Sequence, residues 1–473
     1  MANSGCALPR RVPPLGAIYA DAAQRAHLDR NPVVVLPGLL GSRLVHAPTG
    51  RTVWGEFGSR AFDPRSAEGA PRVAIPMVAG ATLADRTDAV EAVATLDRLR
   101  VSFFGVASHV SAYAQILDAL GIGGYLGAAF RDHVDYGDDH YTCFQFPYDW
   151  RRDLVESARA FDAFLDRTET EVQEQRRERQ EPERPVRFDV VAHSMGGLVL
   201  RWYLRYGVAE PGPDGEPPPL TWAGARRIDT AVLVGTPNMG SIQALRELLQ
   251  GYDPGALLWN YPAAVVGTFP SLYQLLPRGA GGALLDSMGQ PVPDLLDPKL
   301  WIRERWGLLD PRFDGQLRHL LPHLSALGDR RSAAEEHLRL CLARARGVQA
   351  GLDCPAPPPP HTRLVLVAGD GERTVETMVQ TTNGRLSAVE HGFGDGTVLR
   401  TSALGERSSD PSAPRRAGVS QVESWHQVLF LPANHLGLTA DPTFTDNLLY
   451  LLLLAPRAEP SPSSATPSAS STR

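Results

Sequence analysis

Apolar residues fall in short continuous runs at 33–36, 141–146, 188–192, 230–235, 364–368 and 428–431. The runs are mostly β-branched or aromatic and are bounded by Gly or Pro, which predicts strands. Several are apolar at every position instead of alternating, as in parallel strands covered on both faces. Between them the spacing becomes helical, at residues 110–120, 154–179 and 197–206, the last ending at Gly207. Strand alternating with helix predicts an α/β fold with a mostly parallel, doubly wound sheet.

Three stretches break this rhythm. Residues 46–100 carry Trp54, Phe57 and Phe62 and then little periodicity. This segment reads as a lid, since it follows directly on the first strand. Residues 242–360 are mainly helical in pattern, hold Trp259, Tyr261, Trp301 and Trp306, and end in Pro357-Pro358-Pro359-Pro360. That block reads as a cap inserted into the sheet domain. Residues 456–473 are rich in Pro, Ser, Ala and Thr and predict a disordered tail. The expected organisation is an N-terminal extension over residues 1–30, one α/β domain over 31–455 with lid and cap, and the tail.

The third run ends in Val190-Val191-Ala192-His193-Ser194-Met195-Gly196-Gly197. An apolar strand, a tight turn and a helix opening on two glycines are the sequence form of a nucleophile elbow. Ala192 stands where the common pattern has Gly, and a plain Ser-Gly helix start is the alternative reading. An elbow serine also needs a base, an acid and an oxyanion hole. Val33 to Ser42 runs from a strand through Pro37-Gly38 into a glycine turn. The backbone N–H groups of Leu39 and Met195 are therefore the oxyanion candidates. Asn434-His435-Leu436-Gly437 follows the last strand and offers a loop base, whereas His426 lies within or before that strand. His193 is expected to face away from the serine. Two aspartates compete as the acid: Asp395 in Gly394-Asp395-Gly396-Thr397-Val398, and Asp370 in Gly369-Asp370-Gly371. Position after a strand favours Asp370, and Asp-Gly is also an ordinary turn signal. In Phe146-Pro147-Tyr148-Asp149-Trp150-Arg151, a structural ion pair beside a buried tryptophan is the simpler reading.

Composition narrows the remaining classes. A net charge of −6 with 21% charged residues gives no basic surface for nucleic acid. Cys6, Cys143, Cys341 and Cys354 lack metal-ligand spacing, and no metal or cofactor is expected. No apolar segment follows Arg10-Arg11, and the apolar run at 448–455 is too short to span a bilayer. The expectation is a cytoplasmic protein, with peripheral contact with a membrane or lipid aggregate left open.

These motifs, with Gly235 to Ser241 and Pro270 to Pro277, resemble the lecithin:cholesterol acyltransferase family and its related phospholipases and diacylglycerol acyltransferases. The resemblance implies an α/β-hydrolase core with a lid after the first strand and a cap. It implies Ser194 as nucleophile, Asp395 and not Asp370 as acid, His435 as base, and Leu39 and Met195 as the oxyanion pair. Trp54 is similar to the lid tryptophan of the animal members, which makes Trp54 and Phe57 the candidates for substrate contact. No cysteine lies between Ser42 and Arg100, so the lid disulfide of the secreted members has no counterpart. The implied activity is acyl transfer from a phospholipid or acylglycerol, through an acyl-serine, to an alcohol or water. The alternatives are a lipase, phospholipase or carboxylesterase that only hydrolyses, and an inactive lipid- or partner-binding homologue.

Overall fold

The computed structural model describes residues 13–25, 30–56, 60–96, 99–103, 106–110, 112–127, 142–212, 215–255, 258–278, 282–381, 385–407 and 421–457. Phe57 and the tail from residue 458 lie outside the described residues.

Each apolar run becomes one strand of a single sheet. The strands are β1 (Val33–Leu36), β2 (Cys143–Gln145), β3 (Phe188–His193), β4 (Ile228–Val234), β5 (Arg363–Gly369) and β6 (Gln427–Leu431). They lie in the order β2-β1-β3-β4-β5-β6, and every neighbouring pair is parallel. This is the doubly wound sheet that the sequence pattern predicts.

The pleat explains why the strand centres are apolar on both faces. Val33, Val35, Val191 and Val232 face one layer, where they pack with Ile116 of α1 (Ala112–Ile122) and Phe444. Val34, Leu36, Val190 and Leu233 face the other, with Phe161 of α2 (Leu154–Glu178) and Leu198 of α3 (Met195–Tyr206). With helices on both faces, neither set of side chains meets water. The carboxyl ends of β1, β3, β4, β5 and β6 therefore open onto one edge, where an α/β sheet presents its ligand site.

Segments outside this sheet build the walls of that edge. Ser42–His46, Arg51–Trp54 and Val90–Thr95 form an antiparallel sheet after β1. After β4, the chain enters α4 (Ile242–Gln250), a series of short helices, and the long α5 (Leu327–Leu352). Between β5 and β6 it makes a hairpin of Glu372–Gln380 and Leu386–Gly394. Arg201 of α3 fastens the far side of the site: its guanidinium donates to Glu423, Asn238 and the Leu352 carbonyl. Among the described residues no helix is long and apolar enough to cross a membrane.

Candidate active site

Ser194 sits between β3 and α3 at φ +54°, ψ −126°. A residue with a Cβ pays about 1–3 kcal/mol for such a conformation and keeps it only when its surroundings enforce it. Here the Ser194 N–H donates to the Val234 carbonyl at 2.8 Å, fixing the turn to β4. Tight packing fixes it from the other side. A Cβ on Gly196 would lie 2.4 Å from the Pro37 carbonyl oxygen, so only glycine lets α3 start against the end of β1.

His435, in the loop after β6, approaches Ser194 Oγ through Nε2 at 3.0 Å. Its Nδ1 meets Asp395 Oδ2 at 2.7 Å. A carboxylate on Nδ1 assigns the proton to that nitrogen, leaving the Nε2 lone pair for the serine hydroxyl. The other Asp395 oxygen accepts the N–H groups of Thr397 at 2.9 Å and Val398 at 2.7 Å. The backbones are joined as well, since the His435 N–H donates to the Asp395 carbonyl at 2.8 Å. Ser194, Asp395 and His435 are all under a tenth exposed.

Asp370 is not part of this row. It leaves the end of β5 and pairs with Arg400 at 3.2 Å, at the surface. The hairpin after β5 makes the difference. It carries the chain out and returns Asp395 to the strand end, where a Cβ on Gly369 would lie 2.4 Å from the Asp395 Cβ.

The Pro37 to Ser42 turn closes over the serine. A Cβ on Gly38 would stand 2.7 Å from the Ser194 Cβ. Aromatic side chains hold the turn: Gly38 N–H donates to the Tyr113 hydroxyl at 2.8 Å, and Tyr148 donates to the Pro37 carbonyl at 2.9 Å. Trp54 donates to the Leu40 carbonyl at 2.8 Å, and Trp150 to that of Ser42 at 3.2 Å. The Leu39 and Met195 N–H groups find no acceptor within the chain among the described residues. Met195 opens α3, so its N–H is also among those a helix leaves unpaired at its positive end.

His193 does not simply turn away. Its Nε2 donates to the His435 carbonyl at 3.1 Å, so its Nδ1 accepts from the Tyr113 hydroxyl at 3.4 Å. Burial pushes this imidazole down to about 3, so it stays neutral and its tautomer fixed. A hydrogen-bonded chain thus runs from Gly38 through Tyr113 and His193 to the backbone of His435.

Ser194 and His435 open into a small cavity that is partly open to solvent. Its walls are largely apolar, with Leu39, Leu275, Val398 and Leu436, but Gln243 and Glu247 of α4 also face it. Burial pushes the Glu247 carboxyl up to about 7, partly offset by the Gln243 amide and by Arg246. Sequence reasoning missed Glu247 and Tyr113. For Glu247 a signal was present: it falls between Leu245 and Leu248 on the buried arc of α4.

Trp54 departs from expectation. It does not line the cavity and is buried in the core, 1% exposed, with its ring against Trp150, Tyr252 and Tyr261. Among the described residues of 46–100, none lines the cavity. The segment packs instead on the apolar layer beneath it, because Trp54, Phe62 and Val73 are all buried there. Phe57, the other lid candidate, lies outside the described residues.

A comparison with curated proteins gives no match. Among solved structures, the chain is similar to the one described as the Tle4-Tli4 complex, at 15% identity and TM-score 0.52, covering 90% of this chain and 98% of that one. EstA from Clostridium botulinum aligns at 11% identity and TM-score 0.33, covering 93% and 91%. The mature lipase BlEst2 of Bacillus licheniformis aligns at 11% identity and TM-score 0.31, covering 91% and 95%. Only the first likeness speaks to the fold, and the six-stranded parallel sheet flanked by helices, with Ser194 on its strand-to-helix turn, is the α/β-hydrolase arrangement. Residues 106–294 match the family model described as lecithin:cholesterol acyltransferase. Within residues 106–294, Ser194 among them, the chain is thus similar to the lecithin:cholesterol acyltransferase family, while Asp395 and His435 lie beyond that match.

Proposed function

We propose that the protein is a serine O-acyltransferase that takes an acyl group from a phospholipid or acylglycerol and gives it to an alcohol or to water. The observation that carries this reading is the continuous row from Asp395 through His435 to Ser194, set beside two free backbone N–H groups. Ser194 Oγ attacks the ester carbonyl carbon while His435 Nε2 takes the hydroxyl proton. The resulting imidazolium is stabilised by Asp395, which remains ionised. Negative charge on the carbonyl oxygen is met by the Leu39 and Met195 N–H groups, donors of a kind worth about 2.7–4 kcal/mol each. Collapse expels the alcohol, which leaves with the proton from His435. The acyl-serine then passes its acyl group to an incoming alcohol or water, deprotonated by the same imidazole.

The experiment is product analysis with a labelled phospholipid, with and without a sterol or diacylglycerol acceptor. Acylated acceptor supports the transferase reading; free fatty acid alone, at every acceptor concentration, reduces the protein to a hydrolase. Fluorophosphonate labelling lost in Ser194→Ala identifies the nucleophile, and a wild type that neither labels nor turns over ester is an inactive homologue.

A further inference from the structure

Glu247 is the chemically odd member of the cavity wall. It is 5% exposed and stands on a helix face with Ala244, opposite apolar side chains such as Leu275 and Val398. A carboxyl in such a place costs stability unless something hydrogen-bonds to it. One oxygen is occupied: Gln243 Nε2 donates to Glu247 Oε1 at 2.9 Å. No further hydrogen bond to the Glu247 carboxyl forms among the described residues. Spaced i to i+4, Gln243 and Glu247 make a polar stripe on the cavity side of α4.

This stripe is held in register with the catalytic row. The Gln243 N–H is capped by Ser241 Oγ at 3.2 Å, and that hydroxyl donates to the Thr397 carbonyl at 2.8 Å. Thr397 in turn gives its N–H to Asp395. The start of α4 and the acid loop are therefore one hydrogen-bonded unit, and Glu247 stands one helical turn along it.

We propose that Glu247, oriented by Gln243, is a binding subsite for a hydroxyl group carried by the substrate, on either the acyl chain or the alcohol. The proposal rests on the serine esterase or acyltransferase reading above and names its substrate class: esters bearing a free hydroxyl near the scissile bond. A hydroxyl suits the site better than an ammonium group. It both donates and accepts, so it pairs with a carboxyl in either protonation state, whereas a cation needs a fixed carboxylate. Bringing a hydroxyl also adds no second charge to an apolar cavity.

Two arms of matched substrates separate the two sources. The acyl arm compares p-nitrophenyl octanoate with p-nitrophenyl esters of octanoic acid hydroxylated at successive carbons. The alcohol arm compares propyl octanoate with monooctanoylglycerol. The quantity read is the kcat/KM ratio of hydroxylated to plain ester, for wild type, Glu247→Leu and Glu247→Gln. In wild type one arm should show a preference on the order of 10- to 100-fold, the range of one hydrogen bond to a carboxyl group. Glu247→Leu should bring that ratio close to one. Glu247→Gln, which keeps the shape and part of the hydrogen bonding, should give an intermediate ratio and serves alone if the leucine variant does not fold. A ratio near one in wild type on both arms overturns the proposal. So does a preference that both variants retain, or a preference for choline esters over hydroxylated ones. These outcomes are distinct from failure of the esterase reading, in which the plain esters and the fluorophosphonate leave wild-type Ser194 untouched.

Discussion

The indole nitrogen of Trp54 donates to the carbonyl oxygen of Leu40 at 2.8 Å, and Leu40 holds a backbone φ of +63°. A leucine in the left-handed region is strained. Anchoring its carbonyl holds the tight turn in which the Leu39 N–H lies two peptide planes earlier. Trp54→Phe keeps an aromatic ring against Trp150 and Tyr261 but removes the donor and part of the buried ring. The expected result is a kcat lower by roughly 10-fold with KM little changed, since the lost contact acts on charge that develops only in the transition state. Steady-state kinetics on a soluble ester checks it. A raised KM with kcat intact would return Trp54 to the substrate-contact role that its sequence suggests.

The two aspartates separate cleanly. Asp395→Asn leaves the shape of the row but disfavours the Nδ1–H tautomer of His435, and such a change can cost about 10⁴ in turnover. Asp370 pairs with Arg400 at the surface, so Asp370→Asn should stay within a few-fold of wild type. Turnover of purified, folded variants ranks them, and the reverse order would move the acid to Asp370.

That choice shows where the sequence is legible. The six strands of the sheet are visible because burial on both faces gives most of them short, nearly continuous apolar runs. The hairpin that delivers Asp395 is not. Glu372–Gln380 and Leu386–Gly394 are largely polar and solvent-facing, with only scattered buried positions such as Thr374 and Met378. Without the hairpin, local position favours Asp370; only the wider motif favours Asp395. Trp54 fails differently. An aromatic in a segment of weak periodicity reads as a mobile contact, yet Arg51–Trp54 is a strand whose side chains close a core. Its partners Trp150, Tyr252 and Tyr261 are far away in sequence, so no local pattern announces them.

Tyr113 links the Gly38 turn to His193 and, through it, to the His435 backbone. Its hydroxyl accepts from Gly38 N–H and faces His193, whose other nitrogen holds the His435 carbonyl. Tyr113→Phe strands the Gly38 N–H without a partner, a cost of about 1–3 kcal/mol in a buried site. Both the melting temperature and kcat should fall, kcat by on the order of 10-fold with KM little changed. A lowered melting temperature with kcat preserved would make Tyr113 a structural residue alone.

Glu247 gives a pH-dependent prediction that needs no substrate. Burial raises its carboxyl from 4.5 to about 7, against the lowering influence of Gln243 and Arg246; the neighbouring Tyr252 hydroxyl stays protonated throughout. The folded state therefore binds this proton more tightly than the unfolded state. Between pH 4.5 and pH 7 the folded chain holds more protons at this site, so its contribution to stability falls as pH rises and levels off above 7. Glu247→Gln has no proton to lose. Other groups titrate alike in both proteins, so the difference between them isolates this site. Relative to wild type, the glutamine variant should gain about 2 kcal/mol in unfolding free energy on going from pH 5 to pH 8. Urea unfolding at the two pH values measures it. A difference that does not change with pH would mean that Glu247 titrates like an exposed glutamate. A rising difference would mean that wild type keeps a destabilising carboxyl in its cavity at neutral pH, where glutamine would serve stability better, as expected of a residue retained for binding.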